Sequence, residues 1–227
     1  MPQAVVFDLD YTLAVPARDR ATLLSEAVAA VGAPALTRAE YLDAHRRHLT
    51  GESREPIFAE LLADRDADAD PAALATAYRE AIAAALEPLP GVEGMLADLR
   101  ESYRVGLLTN GPVRAQRDKL STLGWEDAFD ATLVTGELAA GKPDPRAFRA
   151  IAAELGVASE DAVYVGDEVD ADVSGATNAG MDAIQVLLED GPDPDPRAIA
   201  HVDQSDVATA VPRLVGAIDG RDEGTAE

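Results

Sequence analysis

From residue 92 onward, short apolar runs at 104–108, 131–134, 162–165 and 182–187 alternate with helix-like stretches at 92–101, 112–123, 145–155 and 170–179. A last strand and helix fall within 200–218. Strands alternating with helices of about ten residues argue for a parallel sheet with helices on both faces. The run Val5-Val6-Phe7 adds one more buried strand, far upstream of the others. Between them lies a segment of different character. Helix-like stretches cover 17–31 (ending at Gly32), 37–49, 52–63 and 71–86, with no convincing strand and an acidic loop at 64–70. Thr37 is a candidate N-cap with Glu40 three residues on, and Pro71 suits a first helical turn. The chain therefore divides into a core, 1–15 with 88–227, and a helical insertion, 16–87. Segments 14–17 and 87–91 are the expected hinges, 191–196 a surface loop, and residues beyond 219 a frayed end.

The core strand 5–7 runs directly into Asp8 and Asp10, with Thr12 beyond. Two carboxylates one residue apart at the end of an apolar strand repel one another and resist burial, so they call for a cation or a proton. Ligands of open parallel sheets bind beyond the carboxyl ends of the strands, which makes this turn the expected site. Three later segments occupy equivalent places. Leu107-Leu108-Thr109-Asn110-Gly111 ends a strand in a hydroxyl and free N–H groups just before a helix, an arrangement that suits phosphate oxygens. Gly141-Lys142-Pro143-Asp144-Pro145 carries one of only two lysines, a compact charge able to sit between a phosphoryl group and a carboxylate. Gly166-Asp167, with Asp172 five residues after Asp167, follows another apolar strand and offers the hard oxygen ligands that suit Mg²⁺.

These four segments, in this order, resemble the four motifs of the haloacid dehalogenase-like (HAD) hydrolases. The resemblance covers about residues 4–14 and 88–210, and the position of the insertion matches the helical-cap subclass. It implies a Rossmann-like α/β core with an inserted α-helical cap and a Mg²⁺-dependent phosphatase acting on a small phosphorylated metabolite. Asp8 would be the nucleophile that forms an aspartyl-phosphate, and Asp10 the general acid and base. Thr109, the Asn110 N–H and Lys142 would bind the phosphoryl group. Asp8, the Asp10 carbonyl, Asp167 and Asp172 would hold the metal. Tyr11 stands where many members have Gly, and Glu168 where many have Ser or Thr. A phosphomutase would share every one of these residues, and a phosphate- and Mg²⁺-responsive regulatory module is a non-enzymatic alternative. Dehalogenases of the family lack the second aspartate.

Other polar residues are assigned plainer roles. Lys119 is expected to be solvated on its helix, and Arg18 and Arg20, just after the first hinge, to be solvated charges at a helix start, with a substrate-facing position as the alternative. His45, His48 and His201 show no ligand spacing and are expected to be solvated or packed. Trp125 and Phe129 are expected to pack in or beside the core. The chain has no cysteine, hence no disulfide or thiolate metal site, and no stretch near the roughly 20 apolar residues of a membrane span. No signal peptide is legible, so a cytoplasmic location is expected. The sequence does not reveal the oligomeric state.

With 42 acidic residues against 19 Lys and Arg, the formal net charge is −23, which argues against nucleic acid or anionic membrane as a partner. It also implies self-repulsion that only salt can screen, the balance of a protein adapted to a salt-rich cytoplasm. Melting followed by circular dichroism is therefore expected to shift to higher temperature between about 0.1 and 1 M KCl. An unchanged melt would remove the salt-adapted reading.

Overall fold

The structure is a computed structural model that describes residues 1–63, 65 and 68–219. Part of the acidic loop expected at 64–70, and the end expected to fray beyond 219, lie outside the described residues. The elements in chain order are β1 (Ala4–Phe7), β2 (Ala14–Pro16), α1 (Arg20–Ala30), α2 (Arg38–Arg47), α3 (Glu55–Ala63), α4 (Pro71–Ala85) and β3 (Leu86–Pro88). There follow α5 (Val92–Arg100), β4 (Arg104–Thr109), α6 (Val113–Leu123), β5 (Ala131–Val134), α7 (Pro145–Leu155) and β6 (Ala162–Gly166). Last come α8 (Gly175–Ala179), β7 (Asp182–Leu187), β8 (Ala200–Asp203) and α9 (Val207–Asp219).

Six strands form one parallel sheet in the order β5-β4-β1-β6-β7-β8. The chain builds outward from β1 to β5, then returns to β1's other side and builds outward again, so the order reverses between β1 and β6. A crevice at such a reversal is where open α/β sheets take ligands. Phe7 is level with Leu107 and Val165, which brings Asp8 and the segments after β4 and β6 to one edge.

Strand alternation sorts side chains to the two faces. Val5, Phe7, Val105, Leu107, Val163 and Val165 join Met95, Leu96, Leu120, Val211 and Val215 of α5, α6 and α9 in one core. Trp125 and Phe129 are buried in the same core, as expected. Ala4, Val6, Leu108 and Tyr164 face Phe148, Ile151 and Ala176 of α7 and α8 in another. Asp144 caps α7 by accepting from the Arg146 N–H (2.9 Å), with Pro145 at its first turn and Gly156 closing it in the left-handed conformation. That helix start fixes the loop carrying Lys142.

Helices α1–α4 bury a core of their own, with Leu23, Leu24, Ile57, Leu74 and Ile82 around the ring cluster Tyr41, Phe58 and Tyr78. Thr37 and Glu40 form the expected capping box on α2. Two expectations need correction. The segments expected as hinges contain strands that the sequence does not show: β2 and β3 pair antiparallel, Ala14 opposite Pro88 and Pro16 opposite Leu86. Three-residue strands ending in proline carry a turn signal in sequence, and the pairing partner lies 70 residues away. The helix expected at 170–179 begins instead as a wider π-helical turn, Val169–Ser174, before α8. Among the described residues no helix is long and apolar enough to cross a membrane.

The helical layer is docked on the sheet's carboxyl edge. The loop before α3 bonds to the core through Gly51 N–H to the Gly136 carbonyl (3.3 Å), Val113 N–H to the Gly51 carbonyl (3.0 Å) and Arg114 N–H to the Glu52 carbonyl (3.0 Å). A Cβ on Gly136 would lie 2.5 Å from the Gly51 carbonyl oxygen and 2.7 Å from the Val113 nitrogen. Gly136→Ala is accordingly expected to speed amide hydrogen exchange at Val113 and Arg114 by about tenfold, the loss of roughly one hydrogen bond's net worth. Unchanged exchange would show that the loop docks without this close approach.

Candidate active site

Asp8 leaves β1 with its N–H on the Val165 carbonyl (2.9 Å), so its backbone extends the sheet and its side chain turns into the crevice. Lys142 meets it there. The ammonium donates to Asp8 Oδ1 (2.7 Å), Asp172 Oδ1 (2.7 Å) and the Tyr164 hydroxyl (2.8 Å), and all four side chains are buried. Tyr164 in turn donates to the Leu108 carbonyl (2.9 Å). The Lys142 backbone is clamped by Asn110, whose Oδ1 accepts from Lys142 N–H (2.9 Å) and whose Nδ2 donates to its carbonyl (3.0 Å). The Thr12 hydroxyl donates to Asp167 Oδ1 (3.0 Å).

Asp8, Asp167 and Asp172 present carboxylate oxygens within 4.8 Å of one another. Burial lifts the Asp8 carboxyl to about 7, with Lys142 opposing the shift and Asp172 adding to it. Burial also raises Asp167 well above the carboxylate range, reinforced by Asp172 and then Asp8. Lys142 is pushed the other way: burial works against its charge, but Asp172 and Asp8 more than offset that and raise it. One lysine thus faces three buried acids. The excess negative charge and the hard oxygen donors fit a divalent cation. Close approach of Asp172 depends on Gly166, where a Cβ would lie 2.5 Å from the Asp172 Cγ.

Asp10 faces a different set of partners. Its Oδ1 accepts from Arg20 (2.7 Å), and its Oδ2 from Lys119 and from Gln116 (3.2 Å). Burial would raise its carboxyl, yet Lys119 and Arg20 outweigh this and hold it well below the usual range. Two expectations are thereby corrected. Lys119 is not solvated but buried against Asp10 on α6, and Arg20 is buried at the start of α1. A charge on a helix is normally solvated, and only the tertiary pairing with Asp10 overrides that here. Arg18 is exposed and pairs with Glu26 (2.6 Å). His48 contacts Glu60 (2.7 Å), whereas His45 stacks on Tyr41 and lines the same cavity as Asp10.

That cavity, about 110 Å³, lies between the sheet edge and helices α1–α3. Asp8, Asp10, Thr109, Asn110 and Lys142 line it, while Asp167 and Asp172 lie behind Asp8. Gln116 and Tyr164 carried no sequence signal as site residues. Gln116 Nε2 lies 2.9 Å from Thr109 Oγ1 and 2.6 Å from the Asn110 carbonyl, tying α6 to the turn after β4. Tyr11 is held at φ 63°, a conformation that costs an ordinary residue roughly 1–2 kcal/mol. Here the ring lies 5.7 Å from the Arg20 guanidinium. Glu168 is an exposed residue at the cavity's rim, and the partial desolvation of its carboxyl there, then Asp172, raises it.

The family model for haloacid dehalogenase-like hydrolases matches residues 2–180. This chain belongs to that family. It is 34% identical over 207 residues to a glyceraldehyde 3-phosphate phosphatase of Methanopyrus kandleri, covering 87% of this chain and 89% of that one. It is 38% identical over 187 residues to a phosphoglycolate phosphatase of Cereibacter sphaeroides, covering 74% and 78%. Among solved structures, a 2-haloacid dehalogenase from Pseudomonas syringae superposes with a TM-score of 0.67 at 25% identity, over 94% of this chain and all of that one. A dehalogenase thus shares the architecture, and the chemistry must be argued from the site.

A cation bound by the native state alone stabilises it by mass action. Millimolar Mg²⁺ is expected to raise the melting temperature of the wild type by several degrees, about 1–2 kcal/mol at tenfold excess over the dissociation constant. Asp167→Asn, Asp172→Asn and Gly166→Ala should each lose that increment. A wild type indifferent to Mg²⁺ would remove the metal assignment.

Proposed function

We propose that this HAD-family hydrolase is a Mg²⁺-dependent phosphatase of small phosphorylated metabolites, working through an aspartyl-phosphate on Asp8. The observation that carries this reading is the pairing of a buried Asp8, braced by Lys142 and facing Asp167 and Asp172, with a second carboxylate, Asp10, beside the same cavity. Asp8, Asp167, Asp172 and the Asp10 carbonyl would hold the Mg²⁺. Bound there, its charge would let an anionic phosphate approach an anionic nucleophile.

Asp8 attacks phosphorus and the ester oxygen leaves, which splits one difficult displacement into two easier ones. Lys142 and the Thr109 hydroxyl, with the Asn110 N–H, steady the charge on the transferring oxygens. Asp10 protonates the leaving oxygen and then takes a proton from the water that hydrolyses the acyl-phosphate. The second of these roles suits Asp10 as it stands, ionised between Arg20 and Lys119. The first requires that those cations turn toward the substrate, which frees the carboxyl to hold a proton. Residues 16–87 act as the cap, excluding water and selecting the leaving group.

Phosphate release from an aryl phosphate and from a panel of small phosphorylated metabolites tests the reading in molar KCl, with and without Mg²⁺. Wild type is expected to turn over with Mg²⁺ only, and Asp8→Asn to lose at least about 10³-fold in kcat. Equal turnover by Asp8→Asn would remove the nucleophile. No turnover by the wild type on any ester would remove the phosphatase.

A further inference from the structure

The Asp8 side of the cavity is furnished for a phosphoryl group, but the wall formed by the helical layer is furnished as well. Arg20 from α1, Arg38 from α2 and Arg54 from just before α3 line it, and Lys119 of α6 borders the cavity beside Asp10. Both lysines of the chain therefore border one cavity, in a protein whose net charge is −23. The described residues contain six buried side-chain nitrogen or oxygen atoms with no hydrogen-bond partner. Arg20 Nε, Arg38 Nη1, Arg54 Nη1, His45 Nδ1 and Gln116 Oε1 belong to residues lining this cavity, and the sixth, the Tyr78 hydroxyl, is on the ring beneath Arg54. Buried polar groups are almost always paired in native proteins, so a concentration of unpaired ones around one cavity calls for partners inside it, ligand or ordered water. Three of the six are guanidinium N–H groups, which can only donate.

These donors are also held in place. Arg54 is 94% buried, as its 6% exposure shows, donates Nε–H to the Tyr41 hydroxyl (2.9 Å) and lies over the Tyr78 ring. Arg38 lies over the Tyr41 ring, and Arg20 is 92% buried, from its 8% exposure, under Tyr11. A planar guanidinium fork with free N–H groups matches a carboxylate better than it matches a hydroxyl or an aldehyde. The cavity is small for a ligand site, which favours a substrate whose second anionic group is joined to the phosphate by a short chain.

The geometry points to a second anion subsite, formed by Arg20, Arg38 and Arg54, that takes the carboxylate of a phosphorylated two- or three-carbon hydroxy acid. The inference rests on the phosphatase reading for the phosphoryl end alone. It separates this chain's substrate from one bearing an aldehyde or alcohol at the same place.

Non-hydrolysable phosphonates test binding without turnover, on the full chain with Mg²⁺ by calorimetry. The carboxylate 3-phosphonopropionate is expected to bind at least about 30-fold more tightly than 3-hydroxypropylphosphonate, because the unpaired N–H groups reject a ligand that cannot satisfy them. Arg38→Gln and Arg54→Gln should each bring the two ligands to within about threefold, and Arg54→Lys should fall between, keeping charge but not the fork. Equal affinities in the wild type, or a preference that survives both Gln variants, would overturn the subsite. So would tighter binding of propane-1,3-diyl bisphosphonate, which would assign the wall to a second phosphoryl group. Should Arg54→Gln fail to melt cooperatively, the half-buried Arg38 and the wild-type comparison still decide. A carboxylate preference in a protein that hydrolyses no ester would support the subsite and overturn the phosphatase reading alone.

Discussion

Three carboxylates from two distant parts of the chain meet at the edge of the cavity, and the Lys142 ammonium stands among them, 2.7 Å from Asp8 and from Asp172. Removing one partner from such a buried group of charges leaves the rest uncompensated, at a cost of about 3–5 kcal/mol. Much of the surrounding structure can be understood as serving that contact. Asp144 and Pro145 start α7 at a fixed point, Asn110 grips the Lys142 backbone from both sides, and Tyr164 fills the remaining donor direction. Gly166 has no side chain because the Asp172 carboxylate occupies its space. The π-helical turn at Val169–Ser174 carries Asp172 into that space, whereas its neighbour Asp170 stays exposed.

The cavity also has to be reconciled with the overall charge. An anionic ligand approaching a protein of net charge −23 meets a repulsive field, which falls off within about 10 Å at 0.1 M salt. Inside, Arg20, Arg38, Arg54, Lys119 and Lys142 reverse the sign locally. Low-dielectric walls make those charges count for more than the surface acids do. High salt would weaken the exterior repulsion far more than the interior attraction, since buried charges are screened least. The acidic surface and the basic cavity are therefore compatible in a salty medium.

The parts of this molecule that were legible in sequence are those whose signal is local. Val5–Phe7 ending in Asp8, and Ala162–Val165 ending in Gly166 and Asp167, announce strands that stop in chemistry, and the sheet follows from the helices between them. Thr37 with Glu40, and Asp144 with Pro145, mark their helix starts within three residues. Lys119 and Arg20 were not legible, because their helices give a charge no reason to be buried until Asp10 arrives from elsewhere. Gln116 and Tyr164 look like ordinary helix and strand residues, and only the fold turns their polar ends toward Thr109 and Lys142. The β2–β3 ribbon failed for a related reason, since neither three-residue strand has any pattern apart from its partner.

The helical layer and the phosphate-facing turn are joined by one hydroxyl. Thr135 donates to the Leu49 carbonyl (3.1 Å) at the start of the α2–α3 loop and accepts from the Gly111 N–H (3.1 Å) directly after Asn110. Arg20 makes a second link by reaching from α1 to Asp10, and Arg79 of α4 a third by pairing with Asp118, next to Lys119. A displacement of α1–α4 from the sheet edge would therefore break contacts at Asp10, beside Asn110 and beside Lys119 together. The groups that would hold the phosphate and those that would hold the rest of the substrate are coupled through shared hydrogen bonds. Docking of the helices and completion of the site are, in this geometry, the same event.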